Sequence, residues 1–338
     1  MKWGFLVAAC CSLSFLAVSQ TTPAAAGAGG QTGPPAAGAP AAESKTSPPE
    51  AYNSDTVIRS DVQRVMLDVS VHDSKGGFVR GLTRNDFKVF DNGKEQEIRD
   101  FSAGDIPVTV GLIVDESYSM TPKRAEVLTA ALSFIHESNP ADEMFVLNFN
   151  ESVRHGLPDT VLFSGNINDL RNALFAGKPQ GRTALYDAIV VGLKQLDMGR
   201  QAKKALVLIS DGGDNVSTHH LSDVIKLSEE TSATIYTIGI FDPDDQDKNP
   251  ELLKKLAHIS GGIAFFPNNN DELIPACERI AREIRNRYTV TYVPQESNHP
   301  EIHHVHVVVT APNYAKLEAR TRTSYLYRPD AQEAELKK

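Results

Sequence analysis

Three short stretches concentrate oxygen donors without a thiol or imidazole among them: Asp115-Glu116-Ser117-Tyr118-Ser119, Gly181-Arg182-Thr183 and Ser210-Asp211-Gly212-Gly213-Asp214. Carboxylates and hydroxyls in this mixture suit Mg²⁺, Mn²⁺ or Ca²⁺, not Zn²⁺ with its preference for nitrogen and sulfur. In Asp115-x-Ser117-x-Ser119 alternate residues project toward one side of a loop, so three oxygens converge there. A small octahedral ion held in this way keeps some waters and one exchangeable position. A carboxylate from another protein can fill that position.

Such donors need elements that bring them together. Val108 to Val114 is a nearly continuous apolar run, too short for a helix and typical of a strand buried on both faces. Met144 to Phe149, Ala205 to Ile209, Thr234 to Ile240 and Ile263 to Phe266 read the same way. Helical patterns separate them: Asn168 to Ala176, Ala184 to Met198, Leu221 to Ser228 and Glu251 to His258, with Asp271 to Arg287 after the last strand. A further helix carries Val127, Leu128, Ala131, Leu132 and Ile135 on one face, with Thr121 expected as N-cap and Pro122 in the first position. Strands alternating with helices give an α/β, doubly wound, mostly parallel sheet. Ligands of such sheets gather beyond the C-terminal strand ends, where strand order reverses. The Asp115 and Asp211 stretches follow two of these strands directly.

On either side the style is different. Val65, Leu67, Val69 and Val71 alternate with polar or less apolar neighbours, and Phe87-Lys88-Val89-Phe90 runs into the hairpin signal Asp91-Asn92-Gly93. Tyr288 to Val293, His303 to Thr310 and Ala319 to Leu326 read as further strands. The economical arrangement pairs these C-terminal strands with those of 55–106, so that the α/β domain (107–287) is inserted in a smaller antiparallel β-rich domain (55–106 and 288–328). Two separate small sheets are the alternative.

Asp115-x-Ser117-x-Ser119, Thr183 and Asp211, in this order and on these elements, resemble the metal-ion-dependent adhesion site of von Willebrand factor type A (VWA) domains. The resemblance covers about Pro107 to Tyr288. It implies that Ser117, Ser119 and Thr183 ligate one ion directly or nearly so, and that Asp115 and Asp211 act directly or through water. It also implies a protein-binding role, with a partner Glu or Asp completing the coordination, and no enzymatic activity. The segments Leu67-Asp68-Val69-Ser70-Val71, Asp86 to Gly93 and Tyr288-Thr289-Val290-Thr291-Tyr292 are similar to bacterial secreted "VWFA-related" proteins. Glu116 departs from the motif, which often has an apolar or small residue there; a solvated loop glutamate is expected.

Composition fits this outline. The 338 residues are 41% hydrophobic with a formal net charge of −9, which disfavours nucleic acid or an anionic membrane as main partner. A mean hydropathy of −0.27 argues against an integral membrane protein. Lys2, the apolar stretch Phe5 to Val18 and the small residues Ala17-Val18-Ser19 read as an export signal (1–19), placing the mature chain in a periplasm, cell envelope or extracellular space. Val7-Ala8-Ala9-Cys10 loosely resembles a lipidation box, which leaves lipidation of Cys10 open. No insertion into the membrane is expected once the signal is removed. Residues 20–54, rich in Ala, Pro and Gly, are expected to be a disordered linker, and 329–338 a disordered tail. Cys277, the single cysteine after the signal, is expected on the buried face of a helix.

Rival motifs are weaker. From Asp242 the sixth position of a calcium loop is Asp247 instead of Gly and the twelfth is Leu253 instead of Glu, so the acidic run 242–247 reads as a solvated loop before the next helix. Strand alternation puts His303 with Val305, Val307 and Val309 on the inner face and His304 with His306 on the other, an arrangement that does not converge on zinc. Ser210-Asp211 with His219 and His220 is the one hydrolytic combination to weigh. A scaffold of the cell envelope without metal-dependent binding is the second alternative.

Overall fold

The computed structural model describes residues 63–241 and 248–329. The expected export signal with Cys10, the linker, the acidic run 242–247 and the tail from 330 lie outside the described residues.

The first strands are β1 (Val65–Asp73), β2 (Phe87–Asp91), β3 (Lys94–Gln96) and β4 (Ile98–Ala103). In β1 the alternating residues Leu67, Val69 and Val71 are buried, as the period of two requires. Asn92 and Gly93 both adopt positive φ, 47° and 77°, the geometry of the tight hairpin turn joining β2 to β3.

The chain then enters the α/β part. β5 (Val108–Asp115) has all eight residues buried. α1 (Arg124–Glu137), β6 (Glu143–Phe149), β7 (Val153–His155), α2 (Ile167–Phe175), α3 (Leu185–Asp197) and β8 (Lys203–Ser210) follow. α4 (Leu221–Glu230), β9 (Thr234–Gly239), α5 (Pro250–Ser260), β10 (Ala264–Phe265) and α6 (Leu273–Arg285) complete it. The sheet order is β10-β9-β8-β5-β6-β7, parallel except for the edge strand β7. From β5 the chain moves first to β6 on one side and later to β8 on the other, so strand order reverses at β5. By their contacts the helices fall into two successions, α2-α1-α6 and α3-α4-α5.

One detail differs from the sequence expectation. Thr121 is not the N-cap of α1: residues Tyr118–Lys123 form a 3₁₀ turn first, with the Thr121 hydroxyl donating to Tyr118 O (2.8 Å), and α1 starts from Lys123. α5 is capped by the Asn249 side chain, which accepts from Leu252 N–H at 3.0 Å, with Pro250 in the first turn.

After α6 come β11 (Arg287–Tyr292), β12 (Glu301–Val309), β13 (Leu317–Arg320) and β14 (Ser324–Tyr327). The single strand expected over Ala319 to Leu326 is thus two, which join different sheets. One four-stranded sheet runs β13-β1-β11-β4 and the other β14-β12-β2-β3, so each combines strands from before and after the α/β part. His303 lies inside this β-rich part, with Nδ1 2.9 Å from Asp91, and His304 and His306 are exposed.

Polar groups join the two parts. His72 Nε2 on β1 meets Glu283 of α6 at 3.1 Å, and Lys203 of β8 lies 3.5 Å from Asp68. Arg287 donates to the carbonyls of Asp68 (3.3 Å) and Gly261 (2.5 Å). The described residues form one compact unit.

Candidate functional site

Asp115 ends β5 and Ser210 ends β8, its neighbour in the sheet. The Ser210 hydroxyl donates to Asp115 Oδ2 at 2.6 Å and accepts from Gly212 N–H at 3.0 Å, fixing the start of the second loop. The other Asp115 oxygen accepts from Ser117 N–H at 2.8 Å. The hydroxyls of Ser117 and Ser119 are 3.1 Å apart, and that of Ser119 donates to Asp211 Oδ2 at 2.6 Å. Asp211 Oδ1 accepts from Gly213 N–H at 3.0 Å. A continuous string of oxygens therefore runs from the first loop to the second.

Thr183 is held through its backbone. Its N–H donates to Asn215 Oδ1 (3.0 Å), and its carbonyl accepts from the N–H groups of Asn215 (3.0 Å) and Val216 (3.3 Å). Two residues earlier, Gly181 O accepts from Tyr118 N–H at 3.1 Å. The third loop is stitched on one side to 116–118 and on the other to 215–216. Of the five expected donors, four are joined by side-chain or short-range hydrogen bonds, and Thr183 is carried on the loop between them.

Asp115, Ser117, Thr183 and Asp211 are buried and Ser119 is half-buried. Burial, and then the neighbouring charge of Asp211, push the Asp115 carboxyl up to about 7, against the hydrogen bonds from Ser117 and Ser210. Among the described residues no lysine, arginine or histidine lies within ion-pair distance of Asp115. Two buried carboxylates threaded by hydroxyls match the needs of one small hard cation. Among the described residues no group of three or more His, Cys, Asp or Glu is placed to hold a metal ion, so a site here depends on the hydroxyls.

Glu116 is not the solvated loop residue expected. It is buried at 2% exposure, and its carboxylate accepts from Arg124 Nε at 3.0 Å. Arg124 also donates to Gly177 O at 2.5 Å, while Glu116 O accepts from Gln180 N–H at 2.9 Å and Glu116 N–H donates to Phe149 O at 2.7 Å. A Cβ on residue 177 would sit 2.5 Å from Glu116 Oε1, so any side chain there displaces the Glu116 carboxylate. Glu116, Arg124 and Gly177 form a latch that fixes the first loop against α1 and the segment before Thr183. Neither Arg124 nor Gly177 stood out in the sequence, because Glu116 sits in a loop, where no helical or strand period relates it to them.

The hydrolytic combination loses its geometry. His219 Nδ1 meets Asp187 at 2.7 Å, not Asp211, and the Ser210 hydroxyl is engaged by Asp115. The N–H groups of Thr218 and His219 also donate to Asp187. His220 caps α4. Around the loops Tyr118 projects outward at 75% exposure, and Arg182 is exposed with Glu151 at 3.6 Å. Asn215 is exposed beside these loops while its Oδ1 braces Thr183.

Residues 110–277 match the von Willebrand factor type A domain family, and the chain is a VWA-domain protein. Among solved structures it is similar to a von Willebrand factor type A protein from Catenulispora acidiphila, with 13% identity and a TM-score of 0.47 over 82% of this chain and 77% of that one. It is also similar to the conserved hypothetical protein BatB from Bacteroides thetaiotaomicron, at 16% identity and a TM-score of 0.42 over 52% of this chain and 98% of that one. The vWF domain of the type V pili tip protein Mfa5 from Porphyromonas gingivalis matches at 14% identity and a TM-score of 0.43, over 53% and 95%. No curated protein sequence matches the chain.

Proposed function

We propose that this chain is an exported protein-binding module, working in adhesion or assembly at the cell envelope or outside it, and not an enzyme. Asp115, Ser117, Ser119, Thr183 and Asp211 hold one divalent cation, Mg²⁺ or its relatives Mn²⁺ and Ca²⁺. When bound, the ion supplies a Lewis-acidic position that a partner Glu or Asp carboxylate occupies. The protein's own groups prepare that position. Ser210 orients Asp115, the Glu116–Arg124–Gly177 latch holds the first loop, and Asn215 holds the third. Tyr118 and Arg182 form the outward surface that selects the partner.

The observation that carries this reading is the oxygen string Asp115–Ser117–Ser119–Asp211, in which a buried carboxylate meets hydroxyls and a second carboxylate in place of a basic side chain. The test is a pull-down from envelope extracts with the full chain, with and without chelator. Partner capture is expected to require the cation and to disappear when Asp115→Ala is combined with Ser117→Ala. Capture that persists in both cases points to a scaffold without metal-dependent binding.

A further inference from the structure

A second site is suggested at the other edge of the parallel sheet. Asp105, just before β5, and the C-terminal end of α6 border a cleft of about 520 Å³. It is separated from Asp115 by the eight residues of β5, roughly 26 Å at 3.3 Å per residue. Arg80, Arg282, Arg285 and Arg287 line this cleft against one carboxylate, Asp105. That excess is local, because the chain as a whole carries a net charge of −9.

The four guanidinium groups are not equally committed. Arg287 is buried, bonded to the carbonyls of Asp68 and Gly261 and lying 3.8 Å from Glu283. Arg285 is held by Asp105 at 2.6 Å and by Glu137 O at 3.0 Å. Arg80 is exposed and makes no ion pair or hydrogen bond among the described residues. Arg282 meets Glu278 at 3.5 Å, a half-exposed pair of the kind that contributes little. Two forked donors thus remain available on different walls, Arg80 from the β-rich part and Arg282 from α6. The Gly81 and Gly104 walls add no side chain, and nothing lies within 4 Å of where a Cβ would stand on either.

We propose that this cleft binds a phosphate-type oxyanion, with Arg80 and Arg282 as its ligands and Arg285 as a supporting charge. Planar guanidinium forks match the paired oxygens of such a group better than an ammonium does, and charge-assisted hydrogen bonds are the strong ones. The volume admits a diphosphate or the phosphate end of a larger molecule, including a lipid headgroup. The cleft shares no residue with the cation loops.

The test is calorimetric titration of the full chain with sodium pyrophosphate at low salt, with chelator present to silence the cation loops. Saturable one-to-one binding is expected, weakened at least tenfold in the Arg80→Gln, Arg282→Gln double variant and unchanged in Asp115→Ala. Arg80→Lys, which keeps the charge without the fork, is expected to fall between. A parallel arm sediments the chain with phosphatidylglycerol vesicles and with phosphatidylcholine vesicles. Retention on the former alone, lost in the double variant, assigns the phosphate to a lipid; binding of pyrophosphate alone assigns it to a soluble ligand. Absence of binding in both arms, or equal binding by the double variant, overturns the proposal.

Discussion

Asp115 and Glu283 are both buried carboxylates of the same α/β part, at opposite edges of one sheet, yet their surroundings differ in kind. Asp115 is met by the hydroxyls of Ser117 and Ser210 and one amide, and burial together with Asp211 raises its carboxyl to about 7. At Glu283 burial also favours the neutral form, but His72 at 3.1 Å and Arg287 at 3.8 Å outweigh it and hold the carboxyl below its ordinary range. A buried carboxylate matched by basic groups of its own chain belongs to the fold. One matched by hydroxyls and a second carboxylate is a place where positive charge from outside is stabilised.

The sharpest break of this contrast is Glu283→Ala, which strands Arg287 and His72 inside the junction. Unfolding in urea is expected to show a loss of about 3–5 kcal/mol, with cation affinity unchanged. Asp115→Asn is expected to do the reverse. It weakens Mg²⁺ binding roughly a hundredfold by calorimetry, as loss of a coordination-sphere group does. Cation-free stability does not fall, because the substitution removes a like-charge neighbour of Asp211.

Acid sharpens the same comparison. Since the folded protein depresses the Glu283 carboxyl, its contribution to stability is present above the unfolded value of 4.5 and is lost as pH falls through the lower folded value. Wild-type unfolding midpoints are expected to drop below pH 4.5 more steeply than those of Glu283→Gln. Gly177→Ala forces a methyl against Glu116 and is expected to cost about 1–3 kcal/mol through overpacking. Because it moves the first loop, it also weakens Mg²⁺ binding roughly tenfold. The smallest effect concerns Cys277, whose thiol is raised to about 12 by burial and the adjacent Glu278. It is expected to stay unreactive toward a thiol reagent at pH 8 until the protein unfolds.

Much of the fold was legible because its strands are pure cases. β5 is mostly apolar and buried throughout, and in β1 Val65, Leu67, Val69 and Val71 share one buried face, although Ser70 and His72 on the other face are buried too. The loops after β5 and β8 carry the expected donors because the C-terminal ends of adjacent parallel strands lie side by side. The split of 317–327 into two strands was not legible, since a strand that changes sheets keeps its β-forming composition. Nor was the 3₁₀ turn before α1, because Thr121-Pro122 is also good cap chemistry. The burial of Glu116 was not legible for a different reason: its partner Arg124 lies across the 3₁₀ turn at the start of α1, and only the folded chain brings Gly177 beside them.

Calorimetric titration of the full chain with Mg²⁺, repeated with Mn²⁺, bears most directly on the central claim. One saturable site per chain, emptied by chelator and weakened roughly a hundredfold in Asp115→Asn with the fold intact, is the predicted result. Titrations without saturable binding, or binding that survives undiminished in Asp115→Asn, contradict the account.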